Sequence, residues 1–199
     1  MRRQLVIFAK AARLGAVKTR LARDIGALAA WRFYRATLFG LVRRLAGDPR
    51  WCTTLAVTPD AAARRPGLWP AGVRRVPQGA GDLGARMDRA LRLAPPGPVV
   101  IVGSDIPAIT CNHVARAFAA LERYDTVFGP SDDGGYWLVG ARRRPFIPGL
   151  FDDVRWSSAR ALADTRANLG ARYTAVLIDE LCDIDTGADY ARRSRPAMK

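Results

Sequence analysis

Short apolar runs alternate with longer segments of helical spacing along most of the chain. Continuous or alternating apolar runs predict strands at residues 4–9, 51–58, 73–76, 98–103, 126–129, 136–140 and 173–178. Apolar residues three and four positions apart predict helices at residues 27–46, 82–93, 110–121 and 157–169, and a last turn or two from residue 188. Strands separated by helices are typical of α/β proteins. We therefore expect a single three-layer α/β/α domain whose sheet is mainly parallel, with one antiparallel element at the short link after residue 129.

Composition narrows the class of protein. The 199 residues are 49% hydrophobic and 25% charged, which indicates a folded globular chain. The longest apolar runs span about six residues, whereas a membrane helix needs roughly 20, so no membrane partner is expected. Three scattered cysteines and the lack of a secretion signal are typical of a reducing cytoplasm. The lone histidine, His113, excludes a zinc-finger pattern and disfavours a histidine-based catalytic triad.

The positive charge is confined to the first half of the chain. Residues 1–100 hold 19 basic and 5 acidic side chains, whereas residues 101–199 hold 13 of each, so the first half carries the whole net charge of +14. Such an excess favours a phosphate-rich ligand or a nucleic acid, or it reflects arginine-rich codon usage. Nucleic-acid modules interleave aromatic and basic residues on one face. Here most aromatic residues fall at core spacing, so we expect no nucleic-acid partner.

The loop after the first predicted strand carries a cluster of basic residues. Ligands of parallel α/β sheets bind beyond the carboxyl ends of the strands. Residues 10–20 include Gly15, Arg20 and two of the three lysines, Lys10 and Lys18. Codon usage does not explain lysines there, so this loop is predicted to bind phosphate, the alternative being a solvated basic loop. It is not a Walker A loop, because no glycine precedes Lys18, and no GxGxxG dinucleotide motif follows the strand.

Acidic residues follow three later strands. Asp105, next to Ser104, ends the clearest buried strand, where a carboxylate needs water or a cation; it is a candidate ligand for Mg²⁺ or Mn²⁺, or a helix N-cap. Asp185 completes that metal site or caps the last helix. The acidic, glycine-containing loop at residues 130–135 forms a hairpin turn, or it holds an acceptor hydroxyl with Asp133 as the base.

A glycine-rich loop at residues 78–86 runs into a predicted helix. Its glycines allow a ligand to approach the backbone closely, and the Gln78 amide has the donors and acceptors needed to read a nucleobase edge. The pattern alone is not specific.

Six stretches of the sequence, taken in order, resemble a little-characterised bacterial group of GT-A-fold glycosyltransferases. They are FAKA and GAVKTRL within residues 8–21, QGAGDLGARM at 78–87, VGSDIP at 102–107, GPSDDGGY at 129–136, the Phe and Trp-Ser positions of 151–157, and DIDT at 183–186. Some members of that group are assigned to arsenosugar biosynthesis or described as radical-SAM-associated transferases. The group is similar to the guanylyltransferases that act on molybdenum cofactor and phospholactate. The resemblance covers residues 4–190.

The resemblance implies a role for each motif. The residues implied to bind the donor phosphates are Gly15, Lys18 and Arg20. Those implied to meet the nucleobase are Gln78, Gly81 and Gly84. Those implied to bind Mg²⁺ or Mn²⁺ are Asp105, beside Ser104, and Asp185. Those implied to form the acceptor loop are Asp133, Gly134 and Gly135. The chain departs from the group pattern at Ala12, where proline is expected, and in reading Gly-Ser-Asp where related enzymes have Asp-x-Asp.

These roles together predict a transferase with a nucleotide donor and a small-molecule acceptor. Catalysis is expected to use Asp105, Asp133 and Lys18. A Gly-x-Gly-x-x-Arg signature after the first strand would favour nucleotidyl transfer. Its absence favours transfer of a sugar from a nucleotide-diphospho-sugar. The alternatives are a nucleotidyltransferase that transfers NMP from an NTP and releases pyrophosphate, and a GT-A domain without catalytic activity.

Overall fold

The computed structural model describes residues 1–193, which build a seven-stranded sheet with helices packed on both faces. The strands are β1 (Arg3–Lys10), β2 (Trp51–Thr58), β3 (Arg74–Pro77), β4 (Val99–Gly103), β5 (Thr126–Pro130), β6 (Tyr136–Ala141) and β7 (Ala175–Leu177). The helices are α1 (Thr19–Ile25), α2 (Ala27–Ala46), α3 (Leu83–Leu93), α4 (Cys111–Ala120), α5 (Ala161–Ala167) and α6 (Gly187–Arg193). The predicted α/β class is confirmed. Within these residues, no helix has the length and apolarity needed to cross a membrane.

The strand order places the carboxyl ends of β1 and β4 side by side. The order is β3-β2-β1-β4-β6-β5-β7, and β6 runs antiparallel to both of its neighbours while all other pairs are parallel. This confirms the predicted mainly parallel sheet with one antiparallel element. Phe8 of β1 pairs with Gly103 at the end of β4. The loops that follow these two strands therefore start next to each other.

Alternation along the central strand divides the core between the two faces of the sheet. Leu5 and Ile7 belong to the cluster that contains α2 and α4, whereas Val6 belongs to the cluster that contains α3. α2 presents Leu38 and Leu41, both fully buried, to the first face. Burial of each such leucine contributes roughly 1.5–3 kcal/mol. The helix that the apolar period predicted at residues 27–46 has the same bounds in the structure.

Two helical segments differ from the prediction. Thr19–Ile25 is a helix that the sequence pattern did not reveal, because Leu21 is its only buried residue and no apolar period exists to detect. The helix predicted from residue 157 begins at Ala161 instead. Ser158 accounts for the delay, because its hydroxyl donates to Arg155 O and accepts from the Arg160 amide, which favours a turn over a helix.

A buried carboxylate joins the last strand to the rest of the sheet. Asp125, which is 8% exposed, precedes β5. It accepts hydrogen bonds from the amide and the hydroxyl of Thr174, both at 2.9 Å, and from the Arg142 guanidinium at 2.6 Å. Burial alone would raise the pKa of Asp125, but the bonds from Thr174 and Arg142 outweigh burial and lower it. The ionised form of Asp125 therefore stabilises the fold.

Replacement of Asp125 by Asn is expected to cost about 1–3 kcal/mol of unfolding free energy at pH 7. The folded pKa of Asp125 lies below its unfolded value of about 3.9. The stabilisation is therefore present above that value and is lost as the pH falls through the folded pKa. Urea unfolding of wild type and variant from pH 7 to pH 3 should show the difference shrinking at acid pH. Asp153→Asn, at an exposed site, is the control. A difference that stays constant with pH would contradict this account of Asp125.

Candidate functional site

A cavity of about 460 Å³ opens at the carboxyl ends of β1, β2 and β4. The loop after β1, the segment after β3 and the loop after β4 all contribute to its walls. Its polar lining residues include Lys10, Lys18, Arg20, Tyr34, Gln78, Arg86, Ser104, Asp105 and Asp185. Six residues predicted from the sequence therefore meet here: Lys18, Arg20, Gln78, Ser104, Asp105 and Asp185. Gly15, Gly81, Gly84 and the residues of the acceptor loop do not line this cavity.

Lys18 lies at the centre of the site. Its backbone is left-handed, with φ 45° and ψ 49°, and it immediately precedes α1. The side chain is 5% exposed, and Nζ lies 2.9 Å from Oδ2 of Asp105 and 2.6 Å from Oδ1 of Asp185. Burial would lower the pKa of Lys18, but the charges and hydrogen bonds of Asp105 and Asp185 raise it. Lys18 is therefore a buried ammonium bound by carboxylates.

A third carboxylate, that of Asp183, completes an acidic triad. One oxygen from each of Asp105, Asp183 and Asp185 lies within 4.8 Å of the others, and Oδ2 of Asp183 lies 3.9 Å from Nζ of Lys18. Burial, followed by the charge of Asp185, raises the pKa of Asp183 to about 6. Asp183 is not among the metal ligands predicted from the sequence. The available signal was its spacing from Asp185, because residues two apart in an extended segment share one side.

The triad fits a divalent cation. Carboxylate oxygens are the preferred ligands of Mg²⁺ and Mn²⁺, and three of them converge here on one point. That point already attracts a cation, since the Lys18 ammonium reaches it. Asp105, Asp183 and Asp185 are therefore the residues that would hold a metal ion.

Asp105 and Asp185, the two metal ligands predicted from the sequence, do not cap a helix. α4 is capped by Thr110, whose hydroxyl accepts from the His113 amide while Nδ1 of His113 accepts from the Thr110 amide. At the start of α6, Asp189 accepts from the amide and hydroxyl of Thr186. The carboxylates of Asp105 and Asp185 point instead to Lys18. Of the alternatives that the sequence left open for them, the geometry favours the cation site.

Two polar aromatic side chains of α2 fix the start of the basic loop. Tyr34 Oη accepts from the Lys10 amide at 3.0 Å, donates to Lys10 O at 2.9 Å and lies 3.1 Å from Oγ of Ser104. Three residues earlier, Trp31 Nε1 donates to Ala12 O at 2.7 Å. The helical period predicted that both rings pack in the core, but it did not reveal that their polar ends hold the loop. Tyr34 thus connects the loop after β1 to the loop after β4.

The Gln78 side chain is buried, 6% exposed, and the nitrogen of its amide is hydrogen-bonded to the backbone. Its Nε2 donates to Ala56 O at 3.0 Å and to Ala9 O at 3.4 Å, which anchors it to the ends of β2 and β1. Within residues 1–193, no donor reaches Oε1 of Gln78. Oε1 is therefore the end of the Gln78 amide without a partner among the described residues.

Backbone conformation and packing explain Gly81 and Gly84, the two glycines that the resemblance assigns to the nucleobase. Gly81 has φ +102° and precedes Asp82, the N-cap of α3, in a conformation that favours glycine. A Cβ at Gly84 would lie 2.9 Å from both Phe151 O and a Trp156 ring carbon, so close packing requires this glycine. This placement gives no support to the predicted contact of Gly84 with a nucleobase.

The acceptor loop forms the hairpin turn between β5 and β6. Asp133 Oδ1 accepts from the Gly135 amide at 2.9 Å, and Gly134 has φ +80°. A Cβ at Gly134 would lie 2.3 Å from Ala159 O, so turn geometry and packing explain the glycine. The charge of Asp133 nevertheless contributes to the raised pKa of Asp183. Asp133 therefore lies close enough to the triad for its charge to act there.

Tyr34→Phe removes one hydroxyl and leaves the Lys10 amide without its acceptor. We expect a loss of about 1–2 kcal/mol in unfolding free energy, together with faster hydrogen exchange of the Lys10 amide, measured by NMR. Tyr124→Phe, at an exposed tyrosine, is the matched control. An unchanged Lys10 exchange rate in Tyr34→Phe would show that this hydroxyl does not hold the loop.

Solved structures with this fold include transferases that act on nucleotides. A protein of Desulfovibrio desulfuricans G20, provisionally described as a nucleotide-diphospho-sugar transferase, is 30% identical over 98% of this chain and 87% of its own, with a TM-score of 0.91. Two other matches establish the fold alone. Rv0371c of Mycobacterium tuberculosis H37Rv, solved as a manganese complex, is 19% identical over 96% of this chain and 97% of its own, with a TM-score of 0.56. A CMP:2-keto-3-deoxy-manno-octonic acid synthetase, solved with CTP, is 10% identical over 97% of each chain, with a TM-score of 0.61.

The amino-acid sequence identifies the family to which the chain belongs. No curated protein matches this chain at a significant level. Residues 41–158, more than half of the chain, match a family described as uncharacterized proteins conserved in bacteria. The seven-stranded sheet is that of the nucleotide-diphospho-sugar transferases and nucleotidyltransferases. The chain belongs to this bacterial family, DUF2064.

Proposed function

We propose that this protein is a metal-dependent transferase that moves a sugar from a nucleotide-diphospho-sugar to a small acceptor. One observation carries the proposal: at the carboxyl ends of β1 and β4, a single cavity is lined both by basic side chains and by Asp105 and Asp185, two members of the carboxylate triad. A diphosphate needs cationic partners and a metal ion on the same side, and this cavity offers both. The 30% identical Desulfovibrio protein supports the choice of donor.

The chain's own residues have distinct tasks in this proposal. Arg20, whose side chain is 74% exposed, and Arg86 line the cavity and would bind the donor phosphates as cations. Asp105, Asp183 and Asp185 would hold Mg²⁺ or Mn²⁺, which supplies charge neutralisation to the departing diphosphate. These residues orient the donor and stabilise the negative charge that grows on the leaving group.

The nucleobase would lie near the segment after β3. Oε1 of Gln78 offers an acceptor for a base N–H group. Leu83 also lines the cavity and remains 44% exposed, so it provides an apolar surface for a ring. Because Gln78 is held by strand carbonyls, its oxygen is pre-organised.

The acceptor would approach from the hairpin between β5 and β6. Asp133 would act there as the base that takes the proton of the acceptor hydroxyl, with Gly134 and Gly135 shaping the turn. An acceptor from arsenosugar biosynthesis or from a radical-SAM pathway, the cytoplasmic location and the single-domain organisation all stay predictions.

Nucleotidyl transfer is the second candidate, because several proteins with this fold are nucleotidyltransferases, among them the synthetase solved with CTP.

A thermal-shift panel of NTPs, NDPs and nucleotide-sugars, each with Mg²⁺, Mn²⁺ or EDTA, separates glycosyl transfer from nucleotidyl transfer. Ligand at about 100 times its Kd adds roughly 2.7 kcal/mol. A metal-dependent shift that is larger for one nucleotide-sugar than for the matching NTP supports glycosyl transfer. A preference for one NTP, with release of pyrophosphate, supports nucleotidyl transfer. No shift with any nucleotide would contradict the proposal.

Asp185→Asn tests the metal site within that panel. The substitution removes one negative charge from the triad, so the metal-dependent part of the donor shift should fall by at least about half. Glu122→Gln removes a carboxylate that forms only a surface ion pair with Arg3, and it should leave the donor shift unchanged. A full metal-dependent shift in Asp185→Asn would refute the assignment of Asp185 as a ligand.

A further inference from the structure

The Lys18 ammonium occupies the position in the triad that a divalent cation needs. It is held at 2.6 and 2.9 Å from two carboxylate oxygens, with the third at 3.9 Å, and the side chain is almost fully buried. A metal ion bound to these oxygens would face a positive charge at contact distance. Because the buried Lys18 ammonium is already hydrogen-bonded to two of these oxygens, a metal ion and the ammonium would compete for the same ligand atoms.

Lys18 has a second set of partners within reach. Its side chain also lines the cavity that Arg20 and Arg86 line, where the donor phosphates are proposed to bind. The left-handed backbone of Lys18 fixes the point from which its side chain starts. Rotation of the flexible four-carbon side chain would move the ammonium away from the carboxylates while the backbone stays in place.

We propose that Lys18 and the divalent cation exchange places at the triad. Without metal, the ammonium offsets part of the negative charge of Asp105, Asp183 and Asp185 and keeps the site assembled. When the cation binds, Lys18 leaves the triad and binds the diphosphate of the donor. This inference rests on the proposed function, since it takes the metal and the diphosphate from it.

The exchange couples the binding of the metal ion to the binding of the nucleotide diphosphate. A metal ion alone must displace the ammonium into a cavity without an anion to receive it, and binding is thereby weakened. A diphosphate gives the displaced ammonium a new partner, so each ligand strengthens the other. Lys18 therefore selects the metal–diphosphate complex over the free ion.

Lysine-selective labelling of the wild-type protein tests the exchange directly. The chain has only three lysines, Lys10, Lys18 and Lys199, so each site is resolved by mass spectrometry. In EDTA, Lys18 should resist reductive methylation. Saturating Mg²⁺ alone should raise its labelling rate by about fivefold or more, because the metal shifts the ammonium to the exposed arrangement. Further addition of inorganic pyrophosphate should protect it again. Lys10, which is exposed, is the internal control in the Mg²⁺ step: its labelling rate reports any general effect of the reagent or of Mg²⁺.

Calorimetry in the same buffer separates the two ways to fail. If Mg²⁺ and Mn²⁺ bind but the Lys18 labelling rate does not change, the exchange is refuted and the proposed metal site stands. If neither ion binds, with or without pyrophosphate, the metal of the proposed function is wrong and the exchange is refuted with it.

Lys18→Met removes the charge and keeps the length of the side chain. This variant should bind Mn²⁺ alone about tenfold more tightly than wild type, and pyrophosphate should no longer strengthen that binding. Arg23→Met removes an equivalent charge from α1 outside the cavity and should bind Mn²⁺ as wild type does. Equal or weaker Mn²⁺ binding in Lys18→Met would overturn the proposal. The labelling of wild type decides the question if this variant does not fold in EDTA.

Discussion

The geometry of the site depends on one ion cluster, the buried Lys18 ammonium among three partly exposed carboxylates. It joins the loop after β1 to Asp105 after β4 and to the segment with Asp183 and Asp185, far apart along the chain. Three carboxylates at this separation repel one another unless a cation lies between them. The sheet order makes the cluster feasible, because β1 and β4 are neighbours and deliver their loops to one place. Sheet topology and ion pairing thus position the same residues.

Periodicity predicted most of the fold because burial enforces it. α2 and β2 keep the predicted bounds, since each has buried residues near both of its ends, from Ala30 to Leu45 in α2 and from Trp51 to Val57 in β2. α1 escaped prediction because it is short and buries one side chain. Asp183 escaped as a ligand because its role depends on where the segment before α6 folds back, which is a tertiary property. The polar contacts of Trp31 and Tyr34 are hidden for a similar reason, since the helical period reports the ring and not its polar end.

The resemblance implies ligand-binding roles for several glycines, whereas the structure gives packing or backbone conformation as the reason for them. A shared motif cannot distinguish a glycine that a ligand needs from one that packing needs. At Gly84 and Gly134, a Cβ would collide with neighbouring backbone or ring atoms, so packing is a sufficient reason for both. At Gly15, with φ +76°, a Cβ would meet nothing, so only the backbone conformation requires glycine there. In the proposed function, the binding role therefore falls on side chains of the cavity, chiefly Lys18, Arg20 and Gln78.

The uneven charge of the sequence has a spatial counterpart in the site. Among the described residues 1–193, the cationic side chains that line the cavity all come from residues 1–100, whereas the three triad carboxylates come from residues 101–199. A metal-bound diphosphate needs cations on one side and carboxylates on the other, and the two halves of the chain supply one wall each. The Gly-Ser-Asp105 loop contributes a single carboxylate to the triad. Asp183 and Asp185 contribute the other two from a segment near residue 185, so the chain assembles its acidic wall by tertiary folding and not within one motif.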